Sequence, residues 1–428
     1  MKKLIFLLTA VLLVTAQLYS QWVQQISPTP ASHYNILFLN SQTGYISSVS
    51  GIILKTTDGG TNWDMPTPIT YLNVFDIYFI DINTGVAVCS NTSTFNSSIY
   101  KTTNGGTNWV LKFSGSRIAL RGALQFINSD TGYAGGWSID TALVKTTDGG
   151  ESWQRVYVSG AIGIDKICFI DANTGYMAGY GMDSKPSVLK TTNGGLNWTK
   201  IYSHSNAMMF MSMYFVNAYT GWVVGTSASN QSLIQKTTNA GVNWVDQMNQ
   251  HPANWELYNI EMINENTGWI VGDAGQIIKT TNGGTNWRAQ VDPSPGPYQP
   301  LYAVDFNNAD TGWIVGGNGR IYKTTNGGGT VSVQNISTEI PSAYSLKQNY
   351  PNPFNPRTVI SFQLPAVSNV MLKVYDVTGK EVATLVNERL QAGTYETTFN
   401  GSILNSGVYF YRLTTDGFSE TKRMMMIK

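Results

Sequence analysis

The chain has 428 residues, a formal net charge of +1 and only 12% Asp, Glu, Lys and Arg, so it offers no basic footprint for nucleic acid or for an anionic bilayer. Its 42 glycines and 12% aromatic residues favour many short strands and tight turns over helices. Two cysteines, Cys89 and Cys168, are too few for a disulfide scaffold and read as small buried apolar groups.

Residues 1–20 read as an export signal. Lys2 and Lys3 are followed by an apolar run over residues 4–14, broken only by Thr9, and then by the small residues Ala16 and Ser20, either of which can mark the cleavage site. The run is too short to span a bilayer comfortably. No cysteine lies near the cleavage region, which argues against a lipid anchor, and no later segment is apolar for 18 residues.

Residues 21–331 are dominated by a repeat. Lys-Thr-Thr followed by Asp or Asn, a Gly-rich pair and, six copies in seven, a Trp begins at Lys55, Lys101, Lys145, Lys190, Lys236, Lys279 and Lys323. Its fixed positions are Asp58 and Trp63, Asn104 and Trp109, Asp148 and Trp153, Asn193 and Trp198, Asn239 and Trp244, Asn282 and Trp287, and a last Asn326 without Trp. The interval averages about 45 residues, the period of propeller blades and of some helical repeats. A Thr-Gly pair decides between them. Before each lies an apolar residue and, two further on, Phe or Met, as in Ile36 and Phe38 or Ile260 and Met262, with a freely varying residue between. Apolar residues two apart indicate a strand. Each repeat therefore predicts four strands: one ending at the Phe, one after Thr-Gly, one ending in Lys-Thr-Thr and one starting at the Trp. The segment at 22–26 (Trp-Val-Gln-Gln-Ile) matches a fourth strand without its first three. It is expected to complete the Trp-less seventh copy and close a ring, which leaves only short protected edges.

The repeated phrase resembles the Asp-box of the BNR repeat family, which includes sialidase-like propellers, xyloglucan-cleaving propellers and the Ycf48-like photosystem II assembly factors. The resemblance implies an all-β fold, a seven-bladed β-propeller. Asp or Asn can accept bonds from turn N–H groups and Gly permits positive φ, so the phrase reads as a structural turn. Five of its seven acceptors are Asn, a poor metal ligand, and neither a metal nor a cofactor is expected.

The repeat stops after Gly329. Residues 332–347 read as a linker, and residues 348–428 as a small Ig-like β-sandwich with strands near 358–364, 370–377, 381–386, 394–399, 407–415 and 419–427. YPNPFNP at 350–356, VYDVTGKEV at 374–382, GVYFYRL at 407–413 and KRMMMIK at the end resemble the C-terminal sorting domain of the type IX (Por) secretion system. That resemblance implies the type IX machinery as a partner, passage through the periplasm, and a secreted or outer-surface address.

Catalytic signals are sparse. There is no G-x-S-x-G, H-E-x-x-H or phosphate-cradling loop. The Arg-Ile-Pro signature of sialidases is absent, Arg117-Ile118-Ala119 being the nearest approach. A glycosidase would need two facing carboxylates among Asp76, Asp165, Asp183, Glu256, Glu261, Asp273 and Asp305. Two tryptophans, Trp137 and Trp255, fall outside the repeat pattern. They share one expected propeller face with Tyr180, Tyr258, Tyr302, His33 and His251, together with Tyr34, Tyr71, His204 and Tyr298. These residues are the expected ligand-binding set, because aromatics with polar tips offer stacking area at low entropy cost. The leading expectation is a non-catalytic module that binds a glycan or a protein; the alternative is a secreted glycoside hydrolase. The seven Lys-Thr-Thr lysines are expected on the other face as solvated strand ends.

Overall fold

The structure is a computed structural model, and it describes residues 22–138, 143–228, 231–247, 256–290, 299–328, 334–337, 339–401 and 404–427. The export signal, residues 1–20, lies outside them. Seven antiparallel meanders follow one another, and the innermost strand of each contacts the innermost strand of the next, from His33–Phe38 round to Leu301–Phe306 and back. Blade 1 has three strands, His33–Phe38, Gly44–Ser48 and Ile53–Thr56, its fourth reduced to a single bridge between Lys55 and Asp64. Blade 7 comprises Leu301–Phe306, Gly312–Gly316 and Ile321–Thr324, and its outer strand is Val23–Gln24 from the other end of the chain. Trp22 is fully buried and meets Phe306 edge-on, with centroids 5.8 Å apart and planes at 82°. Phe38 and Trp63 make the same contact within blade 1 at 5.9 Å and 83°. Trp22 thus occupies the place of the missing seventh Trp.

Both kinds of turn are built from side-chain acceptors. In the box of blade 1 the Thr56 hydroxyl donates to Asp58 and accepts from Gly60 N–H, while Asp58 accepts from Asn62 N–H at 2.9 Å. Asn104 makes the same bonds in blade 2, to Thr102 at 3.0 Å and from Asn108 N–H at 2.9 Å. Gly59 and Gly60 have φ of 72° and 85°, a region open to Gly at no steric cost. Each Thr-Gly turn is opened by an Asn or Asp three residues before the Thr: Asn40 accepts from Gln42 and Thr43 N–H, both at 2.9 Å. The box then docks on that turn, with Gly59 N–H donating to Gln42 O at 2.8 Å.

The lysines are not solvated strand ends. Lys323 of blade 7 donates to the Gly59 carbonyl of blade 1 at 2.7 Å, Lys55 to Gly105 at 2.7 Å, Lys236 to Gly283 at 2.7 Å and Lys279 to Gly327 at 2.8 Å. Six of the seven also lie over the aromatic ring that follows Thr-Gly in their own blade, as Lys279 does over Trp269 at 4.8 Å. That ring stacks on the inner-strand Phe of the next blade: Trp313 on Phe38 at 3.5 Å and 11°, Trp269 on Phe306 at 3.6 Å and 15°. Its polar tip reaches the same carbonyl, Trp313 to Gly59 at 3.2 Å and Tyr45 to Gly105 at 2.9 Å. An ammonium taken from water is costly unless it is paired, and burial lowers the Lys279 pKa to about 8. The sequence shows these lysines at strand ends; what it hides is that the neighbouring blade closes over them.

The freely varying inner-strand position also serves the next blade. Asp305 accepts from Phe38 N–H and Gln125 from Phe169 N–H, both at 2.7 Å. Glu261 accepts from Phe306 N–H. Glu261 and Asp305 are neighbours on adjacent inner strands, and burial followed by their mutual repulsion pushes Glu261 well up. Burial raises Asp305 to about 7.

The tail forms two four-stranded sheets around one core that includes Phe354, Phe362, Leu372, Tyr411, Leu413 and Met424. The expected linker is largely part of it. Gln334–Ser337 pairs with Gly393–Asn400, and Ser345–Leu346 pairs with Arg357–Leu364. Leu346 is buried in the core and Tyr344 stacks on Phe418 at 5.4 Å. These two short strands cover what would otherwise be open sheet edges.

Trp22→Ala should lower stability by about 3–5 kcal/mol, the usual cost of truncating a buried aromatic, and a thermal melt unchanged from the parent would contradict ring closure by this segment. Asn104→Asp should leave the melting temperature nearly unchanged with or without chelator, because Asp58 already makes the same bonds, whereas Asn104→Ala should cost about 1–3 kcal/mol. Folded Asp305 keeps its proton to about pH 7 while the ordinary carboxyl loses it at 3.8, so folding takes up a proton between those values. Its contribution is therefore greatest below 3.8 and falls as the pH climbs to 7. Asp305→Asn, which keeps the acceptor but does not titrate, should gain stability relative to the parent from pH 4 to pH 7, read from melts at both.

Candidate functional site

Each inner strand carries a β-bulge near its start, on the face away from the boxes. Register shifts fall between His33 and Asn35, Val74 and Asp76, Ile164 and Lys166, Phe210 and Ser212, Leu257 and Asn259, and Leu301 and Ala303. In blade 3 the strand slips opposite Gly135 and Gly136, where Ala123 and Leu120 are the paired residues. The residues left out of register are Tyr34, Phe75, Arg121 with Gly122, Asp165, Met211, Tyr258 and Tyr302. A bulge bends its strand and re-aims one side chain. The facing strand must approach closely: a Cβ on Gly179 would lie 2.1 Å from Gly163 O, and one on Gly316 2.2 Å from Pro300 O.

The bulged residues of neighbouring blades touch one another. Tyr258 meets Tyr302 at 5.4 Å, Tyr302 meets Tyr34 at 5.6 Å and Tyr34 stacks on Phe75 at 4.7 Å. The Arg121 guanidinium lies 5.9 Å over the Phe75 ring. Beyond it Trp137 stacks on Tyr180 at 5.7 Å and donates its indole N–H to Asp165 at 2.8 Å. Gly163 lies beneath that indole, where a Cβ would come within 2.8 Å of the ring. Burial raises the Asp165 carboxyl to about 6, although the Trp137 bond and the Arg121 charge oppose the rise. Burial raises the Tyr34, Tyr258 and Tyr302 phenols, aided at Tyr258 by the charge of Glu256, so all three remain neutral donors at physiological pH. The result is an aromatic ring at the mouth of the axial channel, half-buried, with one cation and one carboxyl group between its two aromatic arcs.

Among the sequence candidates the structure brings together Trp137 with Tyr180, and Tyr258 with Tyr302. Trp255 and His251 lie outside the described residues, as does Tyr298. His33 is corrected: it is fully buried, bonded to Ser48 at 2.6 Å and Ser27 at 3.1 Å, and burial lowers its pKa to about 4. It is a neutral core histidine that a ligand cannot reach. Residues 208–213, next to the candidate His204, belong to the strand Ala207–Phe215. Sequence reasoning missed Phe75 and Arg121 and read Asp165 only as one of seven carboxylates. The available signal was position, since Tyr34, Phe75, Asp165, Met211, Tyr258 and Tyr302 all stand two residues before the inner-strand apolar residue.

The other carboxylates lie outside the bulge positions, although Glu256 touches the ring through Tyr258 and the Asp273 charge acts on Tyr258 and Tyr302. Asp76 is buried and accepts from Leu124 N–H at 3.0 Å and from Asn35. Asp183 pairs with Lys200 at 2.7 Å, and Glu256 accepts from Tyr258 at 3.1 Å. Glu261 and Asp305 are held by backbone N–H groups, and Glu261 lines a cavity of about 500 Å³ together with Tyr214, Asn264 and Asn308 at the Thr-Gly end.

Comparison with known proteins agrees with this architecture. Residues 348–428 match the family described as the secretion system C-terminal sorting domain, and residues 161–301 match the photosynthesis system II assembly factor YCF48. No curated protein sequence matches the chain. Among solved structures, YCF48 bound to D1 peptide superposes with a TM-score of 0.56 at 19% identity, covering 72% of this chain and 98% of that one. YCF48 from Cyanidioschyzon merolae gives 0.54 at 16%, covering 71% and 98%. The WD40 β-propeller domain of Doa1 gives 0.52 at 11%, covering 71% and 97%. At these identities the likeness is one of fold. The tail marks type IX secretion to the cell surface or extracellular space, and no helix among the described residues is long and apolar enough to cross a membrane. The chain thus carries a β-propeller, of which residues 161–301 match the YCF48 family, followed at residues 348–428 by a type IX secretion C-terminal sorting domain.

Proposed function

We propose that the exported propeller is a non-catalytic binding module whose ligand, a glycan or a peptide segment of a protein, sits on the aromatic ring at the channel mouth. The observation that carries this reading is the set of seven bulges, which place Tyr34, Phe75, Arg121, Asp165, Met211, Tyr258 and Tyr302 at equivalent points of the seven inner strands. The box face is the less favoured side, because its turns repeat almost unchanged and spend donors and acceptors on neighbouring blades, although the cavity of about 500 Å³ beside Glu261 and Asn308 opens there. Recognition usually sits on variable loops held by a rigid scaffold. The solved YCF48 with a D1 peptide is an instance of a propeller of this fold holding a peptide. Hydrolysis of a glycoside would need two carboxyl groups flanking the bond; Asp165 is the single one among the seven bulged residues, so a hydrolase would have to recruit Glu256 from beside Tyr258.

A screen of the purified propeller against glycan and peptide arrays, with hydrolysis assayed in parallel, identifies the ligand. Stacking on one Trp contributes on the order of 1–3 kcal/mol by analogy with base–aromatic stacking. Trp137→Ala should therefore weaken binding about tenfold or more, and because it unpairs the buried Asp165 it should also cost about 1–3 kcal/mol of stability, so affinity is read where the variant remains folded. Trp255→Ala should weaken binding to the same extent. Unchanged affinity in both variants, with loss on substitution of Leu196 or Thr107 on the box face, would place the site on the wrong side; turnover of a glycan would replace binding with catalysis.

A further inference from the structure

We infer that the ligand of the aromatic ring is a glycan, and that Arg121 and Asp165, at the neighbouring bulge positions of blades 3 and 4, select a neutral vicinal diol on one of its sugars. The inference deepens the reading of the ring as a binding site and rests on it. Asp165 is 8% exposed. Its Oδ1 accepts from the Trp137 indole, and its Oδ2 is buried without a partner among the described residues. A buried carboxylate oxygen left unpaired is costly, so Oδ2 calls for a donor. Arg121 is half-buried, and among the described residues its guanidinium forms no hydrogen bond or ion pair. It rests over the Phe75 face, and its charge acts on Tyr34 and on Asp165. The site thus sets one acceptor beside a group that can only donate. A ligand carboxylate drawn to Arg121 would face Asp165, and a ligand ammonium drawn to Asp165 would face Arg121. The adjacent opposite charges therefore disfavour a charged group of either sign. What fits is a neutral group that donates and accepts at neighbouring atoms. A trans peptide group points its N–H and C=O in opposite directions and meets only one of the two partners. Hydroxyls on adjacent sugar carbons each donate and accept and rotate to suit, so one donates to Asp165 Oδ2 while the other accepts from Arg121.

The purified full chain is tested on arrays of neutral glycans and of peptides, then titrated with the methyl glycosides of glucose, galactose and mannose, their monodeoxy forms and their monoamino forms. Removing either hydroxyl of one adjacent pair should weaken binding about tenfold or more, as for a hydrogen bond to a charged group, and an ammonium in place of either should do the same. Asp165→Asn should lose a similar factor, because the Trp137 N–H holds the amide oxygen and leaves an NH2 where Oδ2 stood. In that variant, removing the donating hydroxyl should cost nothing further. Arg121→Gln breaks no bond of the free protein, so it serves even where Asp165→Asn fails to fold. It should weaken the neutral sugar and narrow its advantage over the amino form several-fold. Sugar binding indifferent to every single deoxygenation, an amino form bound more tightly than its neutral parent, or unchanged affinity in both variants would overturn the diol and leave the binding module standing. Binding of peptides alone would do likewise. No binding on either array would remove the module and the diol with it.

Discussion

The ring depends on one backbone carbonyl per blade, that of the first residue in the Gly-rich pair. The Gly59 carbonyl accepts from Trp313 and Lys323 of the preceding blade. Gly105 and Gly327 do the same for Tyr45 with Lys55 and for Trp269 with Lys279. The same residue donates its own N–H to the Thr-Gly turn beneath it. One peptide unit thus joins the box to its own blade and the blade to its neighbour. Its left-handed φ aims the carbonyl outward, which explains why Gly fills the place in six copies; Ala240, at a φ of 61°, is the exception.

The junction between blades 2 and 3 shows what happens when one part is missing. Val86 stands where the other blades have Tyr or Trp, so there is no ring to carry the lysine or to reach the carbonyl. Lys101 turns instead to Glu151, at 2.7 Å, which Lys112 also contacts at 2.5 Å. Glu151 is the acidic member of a position otherwise filled by Thr, Leu, Val or Gly. A charge pair replaces the stacked latch, and both Lys101 and Lys112 come from blade 2, so the direction of the link is kept.

Strands, turns and blade number were legible because they follow from local demands: alternation across a sheet, positive φ at paired glycines, and a Trp that needs a Phe to pack on. Even the long-range partner of Trp22 could be found, since a lone fourth strand and a copy without one imply each other. The lysine latch was not legible, because Lys55 and Gly105 are fifty residues apart in sequence and meet only when blades 1 and 2 pack together. The aromatic ring was half legible. Tyr258 and Tyr302 stand out as aromatics, but Arg121 and Asp165 share their place only through a bulge, and a one-residue insertion leaves the alternating pattern looking merely irregular. His33 misled for the same reason: it is adjacent to the bulged Tyr34, and adjacent residues on a strand face opposite ways. The linker misled because two short edge strands carry too few residues to show alternation.

The clasp of blade 7 has a mechanical consequence. Tension applied between the ring and the tail runs along Ile321–Thr324. That strand lies between Gly312–Gly316 and Val23–Gln24, antiparallel to both. Its ladder bonds stand perpendicular to the pull, so they are loaded together in shear instead of being opened one by one. The two-residue strand Val23–Gln24 therefore shares the load on Ile321–Thr324 at the point where the chain leaves the ring.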